Sequence, residues 1–200
     1  MKEAIRIYIL EKAKQLFIKQ GYRQSTMSEI AEASGVSKPT LYRYFAGKED
    51  LIRSVAEELE AFLGREVFSI LERKTPFKEK FQAFIERTFA LIMENRELYR
   101  LAALEYWSGG KIFHEKEAFI EEFSQAKKVR YDKVRAFVRE GQKEGVLREE
   151  LSDTLMTFMI MAVFTEFFHL VVLLTPASGF RPEEVGRQVY SALEEGLFRR

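Results

Sequence analysis

The 200-residue sequence predicts an all-α fold in two parts, a small N-terminal helical head and a larger helical body, about nine helices in all. Three observations predict it. Apolar residues recur three and four apart along most of the chain, the period that turns one side of a helix toward a core. No stretch alternates apolar and polar residues as a half-buried strand does, and no repeat unit is evident. Only four prolines interrupt the chain, and they stand where helices would start or break.

Composition sets further bounds. An apolar share of 46% is ample for a core and a charged share of 32% for a soluble surface. With no cysteine there is neither a disulfide framework nor a thiolate metal site, which suits a reducing cytoplasm. The opening MKEAIRIYILEKAKQ carries charges too frequent for the apolar region of a signal peptide. The formal net charge is only +1, but residues 1–53 hold ten Lys/Arg against six Asp/Glu. That excess of four leaves the remainder three charges negative, a basic head on a mildly acidic body that draws polyanions to one end.

A first helix is predicted from about residue 3 to 20, with Ile5, Ile9, Ala13, Leu16 and Phe17 on its inner side. Gly21 ends it. Thr26 and Glu29 have the spacing of a capping box, in which each side chain satisfies an orphan backbone N–H at a helix start. Ile30 and Ala31 are the apolar side of that second helix. Gly35 stands where the chain leaves it with positive φ, and Val36 plugs the corner. Ser37 caps a third helix with Pro39 in its first turn, where a missing N–H costs nothing. Leu41 and Phe45 point to a small core shared with the first two helices. Lys38, Pro39, Thr40, Tyr42, Arg43 and Tyr44 remain around its other faces. Base edges in the DNA major groove accept hydrogen bonds from Arg, and the flanking phosphates accept them from Tyr, Thr and Lys.

These residues carry a resemblance. From about Ile9 to Leu51 the chain resembles the DNA-binding domain of the TetR family of transcriptional regulators. The matching positions are Ala13, Leu16-Phe17, Gly21, Thr26, Ile30-Ala31, Gly35-Val36-Ser37, Leu41-Tyr42, Tyr44-Phe45 and Lys48-Glu49-Asp50-Leu51. Membership implies an all-helical homodimer. Residues 1–47 would form a three-helix helix-turn-helix DNA-binding domain, and residues 48–200 a helical ligand-binding and dimerisation domain. Pro39 departs from the pattern, since a glycine or another small residue is commoner there, which bears on the operator sequence rather than on the binding mode. The DNA contacts expected are Thr26, Ser37, Lys38, Pro39, Thr40, Tyr42, Arg43, Tyr44 and Lys48.

Gly47 opens the next helix, with Glu49 and Asp50 in the first turn where the dipole favours acids, and Lys48 beside them placed for a phosphate. Leu51, Val55, Leu59, Phe62, Leu63, Val67 and Ile70 keep its stripe to about Arg73. Thr75-Pro76 breaks the chain. A helix from about Phe77 to Met93 follows, with Phe81, Phe84, Ile85, Phe89 and Ile92 inward. Asn95 caps another that runs to about Trp107, where Ser108-Gly109-Gly110 interrupts it. That glycine pair and Lys111 do not make a phosphate loop, which needs a further leading glycine, a Ser/Thr after the Lys and a preceding strand. A long helix from about Phe113 to Gly141 turns at Gly145. Its basic run, Lys127-Lys128-Val129-Arg130, reads as a solvated face.

Leu155 to Leu174 is a run of bilayer length, but it contains Glu166 and His169, which are expensive in hydrocarbon, and its flanks lack basic anchors. It reads as core plus subunit interface, with no membrane span. Pro182 opens a last helix whose Val185, Val189, Leu193 and Leu197 repeat along one side, and this stripe is expected to complete a four-helix dimer seam.

Nothing points to an enzyme. Two histidines and no cysteine leave little for zinc. Glu166-x-x-His169 has the spacing of half a di-metal site on a bundle, but the other half is missing, because Lys111 precedes His114 by three. No metal and no cofactor is expected. The aromatics of the body suit an apolar pocket, expected between Trp107, Phe123, Phe158 and Glu166, for a small hydrophobic ligand. The sequence therefore predicts a ligand-responsive regulator, a repressor that binds a palindromic double-stranded DNA operator as a homodimer. The alternative is a helical carrier of hydrophobic small molecules whose head only packs.

Overall fold

A computed structural model describes residues 2–103, 117–164, 172 and 181–198, with residues 117–127 traced as backbone. Among the described residues there are nine helices and no strand. They are α1 (Lys2–Gln20), α2 (Met27–Ala33), α3 (Lys38–Tyr44), α4 (Lys48–Leu71), α5 (Phe77–Glu94), α6 (Arg96–Ala102), α7 (Glu117–Lys143), α8 (Asp153–Ala162) and α9 (Pro182–Leu197). None is long and apolar enough to cross a membrane. The chain forms two compact units. One comprises Met1–Ala61 and Asn95–His114, the other Phe62–Glu94 and Glu115–Arg200. The first takes in more of the chain than residues 1–47, because it includes the opening half of α4 and all of α6.

The first unit is built round Ile9, Ala13 and Phe17 of α1, Ile30 and Ala31 of α2, Leu41 and Phe45 at α3, and Leu51, Ile52 and Val55 of α4. Leu10 is buried with them, while Ile5 and Leu16 are only partly covered. Leu98 and Leu101 of α6 pack against the same core. Asn95 stands at the N-cap of α6 as expected, but its side chain makes no capping bond.

In the second unit α9 lies along α5. Leu193 and Leu197 are buried, and Gly186 backs onto Glu86, whose Cα would lie 3.3 Å from a Cβ at that position. Val185 and Val189 of the same stripe are half-buried. The aromatic core joins Phe77 and Phe81 of α5, Phe137 of α7 and Phe198, with the Phe77 and Phe137 rings stacked 4.3 Å apart. Arg148 N–H donates to Leu197 C=O at 2.9 Å, tying the turn after α7 to the end of α9. Lys80, itself buried, pairs with Glu140 and lies over the Phe137 ring. Phe62, expected in the α4 stripe, is instead 37% exposed.

Gly141 allows this core to close. A Cβ there would meet the Phe77 ring at 2.5 Å and Leu147 at 2.8 Å, too near for either to stay in place. Overpacking of that kind costs about 1–3 kcal/mol, offset by the ~1 kcal/mol that Ala gains over Gly within a helix. Gly141→Ala is accordingly expected to lower stability by up to about 2 kcal/mol, read as a lower urea midpoint with little change in slope.

Asp153 clamps α8 to α7. Its carboxylate accepts from Arg135 at 3.0 and 3.3 Å and from Arg139, while Ser152 caps the helix by accepting from Leu155 N–H. Hydrogen bonds from Arg135, then Arg139, hold the Asp153 carboxyl well below the usual carboxylate range. A depressed folded pKa makes this stabilisation complete above the unfolded value near ~4 and lost as pH falls through the folded one. Asp153→Asn should therefore be less stable than wild type at neutral pH, and the gap should close in strong acid, as thermal melts across pH would show.

Candidate nucleic-acid interface

Each piece of the head is set by local chemistry. At the start of α2 the capping box is complete: Glu29 N–H donates to Thr26 Oγ1 at 3.2 Å, and Thr26 N–H donates to Glu29 Oε2 at 2.8 Å. The Thr26 hydroxyl also donates to that oxygen at 2.8 Å, and this bond is the main reason the Glu29 carboxyl titrates below its ordinary range. Gly35 has φ of +63°, so the chain turns at once, and Val36 N–H returns to Ala31 C=O at 3.0 Å. Ser37 caps α3 by accepting from Thr40 N–H, with Pro39 in the first turn. Phe45 ends α3 in extended backbone.

The seven residues of α3 sort by angle. At about 100° per residue, Leu41 and Phe45 lie roughly 40° apart, while Pro39 and Arg43 lie roughly 160° and 200° round from Leu41. Leu41 and Phe45 are 0% and 1% exposed. On the opposite side Pro39 and Arg43 are exposed, Tyr42 is 52% exposed, and Thr40 is half-buried with its hydroxyl 2.8 Å from that of Ser37. Lys38 and Arg43 point out with no hydrogen bond or ion pair to any described residue. An uncommitted guanidinium at the pole of a helix anchored from behind can offer a bidentate pair of donors to a base edge.

Besides Ser37 and Thr40, which pair at the cap of α3, three of the nine expected contacts have other work. Tyr44, on the flank nearest the anchors, is half-buried against the core. Thr26 has its hydroxyl taken by Glu29, though the residue is exposed. Lys48 turns inward: its ammonium donates to Tyr22 C=O at 2.9 Å, Ser25 C=O at 3.0 Å and Arg23 C=O at 3.2 Å. Sequence spacing gave no notice of Arg6 as a structural residue. Its guanidinium sits 5.1 Å from the centre of the Phe45 ring and donates to Ser54 Oγ at 3.1 Å, pinning α1 against α3 and α4.

Of the expected pocket residues, Phe158 is 58% exposed on α8, its ring 5.4 Å from that of Tyr131. Trp107 and Glu166 lie outside the described residues, as do His114 and His169, and Phe123 is described by its backbone alone.

Comparison with known proteins agrees with this geometry. The sequence profile of the bacterial regulatory proteins of the tetR family matches residues 9–55, from α1 into α4. The chain is 28% identical over 159 residues to the fatty acid metabolism regulator protein of Bacillus subtilis, covering 79% of this chain and 78% of that one. Among solved structures it is similar to the TetR family transcriptional regulator PfmR of Thermus thermophilus, with a TM-score of 0.72 at 24% identity over 96% of this chain and 99% of that one. FadR of Bacillus subtilis, solved in complex with stearoyl-CoA, likewise gives a TM-score of 0.72 at 24% identity, over 95% and 98% of the two chains. Residues 9–55 thus match the profile of the bacterial regulatory proteins of the tetR family, and the chain shares its fold with solved regulators of that family.

Proposed function

We propose that the protein is a ligand-responsive repressor that binds a near-palindromic operator as a homodimer and is released by a small hydrophobic ligand. The observation that carries this reading is α3, held by Leu41 and Phe45 and presenting Pro39, Tyr42 and Arg43 outward. Two such helices, one per half-site, enter successive turns of the major groove. Residues 1–47 read DNA, and residues 48–200 bind ligand and pair the subunits. Pairing is supported by α8, whose Leu155, Phe158 and Met159 stay 41–58% exposed in the single chain. Ser191, Ala192 and Glu195, on the side of α9 turned away from α5, are exposed as well. The protein acts in the cytoplasm, where its operator is, and catalyses no reaction.

For the ligand we favour a long-chain acyl thioester of coenzyme A, supported by the similarity to FadR of Bacillus subtilis, solved with stearoyl-CoA, and to a fatty acid metabolism regulator. Its tail suits an apolar pocket bordered by Trp107, Phe123 and Glu166. The ligand acts only through its difference in affinity for the DNA-competent and DNA-incompetent states. Selection of bound fragments from a random DNA pool tests the first half of the reading. The fragments are then challenged with stearoyl-CoA, stearate and the lipophilic cation tetraphenylphosphonium. Release by stearoyl-CoA at micromolar concentration is the expected result. Release by the cation alone would overturn the ligand class, and no salt-sensitive, sequence-selective retention at all would leave a carrier of hydrophobic molecules.

A further inference from the structure

The first residue of α4 sits where a cation would meet a phosphate, and its side chain goes elsewhere. An ammonium group has three N–H donors and no acceptor. All three of Lys48's have partners: the carbonyls of Tyr22, Arg23 and Ser25, at 2.9, 3.2 and 3.0 Å. The same nitrogen stands 4.5 Å from the centre of the Tyr22 ring. These acceptors lie 23 to 26 residues away in sequence, in the six-residue connection, 21–26, that leads from α1 into α2.

Within that connection the Tyr22 ring meets the Phe17 ring edge-on, 5.3 Å between centres, and packs against the core. Gly21 turns the connection with φ of +86°, and Ser25 closes it on Gly21 C=O through both its N–H, at 3.3 Å, and its hydroxyl, at 2.9 Å. The carbonyls of Tyr22, Arg23 and Ser25 converge on one point, and Lys48 fills that point with positive charge. Thr26, the cap of α2, follows directly.

We propose that Lys48 is a positioning residue rather than a phosphate ligand: it locks the α1–α2 connection, and with it the start of α2, to the first turn of α4. A displacement of the first turn of α4 then carries the start of α2 with it, so the two cannot drift apart while α3 is being aimed. The proposal rests on the DNA-binding reading only for its effect on affinity; the lock itself is a property of the free protein.

Two variants separate the roles. Lys48→Met keeps the length of the stem and removes the charge. Lys48→Arg keeps the charge, but its planar fork cannot converge three donors on one cup of carbonyls. Amide hydrogen exchange across residues 22–28 of the DNA-free, full-length protein is expected to speed up at least about tenfold in both variants and to stay unchanged in Lys38→Met. Binding to a duplex selected by the wild-type protein is then followed from 50 to 200 mM salt. A positioning role predicts affinity lowered by a similar factor at every salt concentration, with the wild-type slope retained. A phosphate ligand predicts a slope shallower by about 0.9 in Lys48→Met, restored by Lys48→Arg. A shallower slope, or unchanged exchange over residues 22–28, would overturn the proposal. If the wild-type protein retains no duplex, the DNA-binding reading fails, and the exchange measurement still decides the lock.

Discussion

Phe45→Ala is expected to remove about 3–5 kcal/mol of stability from the N-terminal unit, the usual cost of truncating a fully buried phenylalanine. The side chain is 1% exposed, forms half of the anchor beneath α3, and is the surface on which the Arg6 guanidinium rests. Whole domains are stable by only about 5–15 kcal/mol, so a loss of this size leaves a unit this small close to its unfolding midpoint at room temperature. Urea unfolding followed by hydrogen exchange on α1–α3 should show the loss, and sequence-selective DNA retention should vanish with it. The second unit, with its own core round Phe77, Phe81 and Phe137, should keep its exchange protection. Uniform loss of protection in both units would mean that they do not unfold separately.

Arg43→Ala is the counterpart that leaves the fold alone. Arg43 is exposed and makes no hydrogen bond or ion pair with any described residue, so its removal should shift the urea midpoint hardly at all. Specific DNA binding should weaken by about 1–3 kcal/mol, roughly 5- to 150-fold, with relaxed preference at one base position per half-site. Non-specific binding should change much less, because it depends on how many phosphates are neutralised. Equal specific affinity in wild type and variant would remove Arg43 from the interface. Taken together the two variants divide the helix: one face holds the fold and the opposite face reads DNA.

Much of the head was legible in the sequence because its determinants are local. A Thr three residues before a Glu, a Gly at a turn, a Ser before a Lys-Pro pair: each acts on backbone groups within four positions, and each appears in the structure where expected. Burial of Leu41 and Phe45 followed from helical period alone. What the sequence did not convey is non-local. Lys48 read as a phosphate contact because its neighbours in the chain mark only a helix start, yet its partners arrive from a connection more than twenty residues back. Leu98 and Leu101 belong to the first unit although the chain has meanwhile passed through α5. Leu193 and Leu197 at the end of the α9 stripe are buried within the protomer, and period alone does not say which helix covers a buried side. Phe158 read as a pocket wall, but in the single chain it is open to solvent, and composition does not distinguish a cavity wall from a subunit contact.

Methylation interference on the selected operator fragments addresses the central claim most directly, because methylation of guanine at N7 marks the major groove. With α3 in that groove and Arg43 on a guanine, methylation at one or two guanines in each half-site should block retention of the wild-type protein. The same methyl groups should no longer discriminate in Arg43→Ala. Retention indifferent to N7 methylation throughout both half-sites, by a protein that still selects those fragments, would contradict the account.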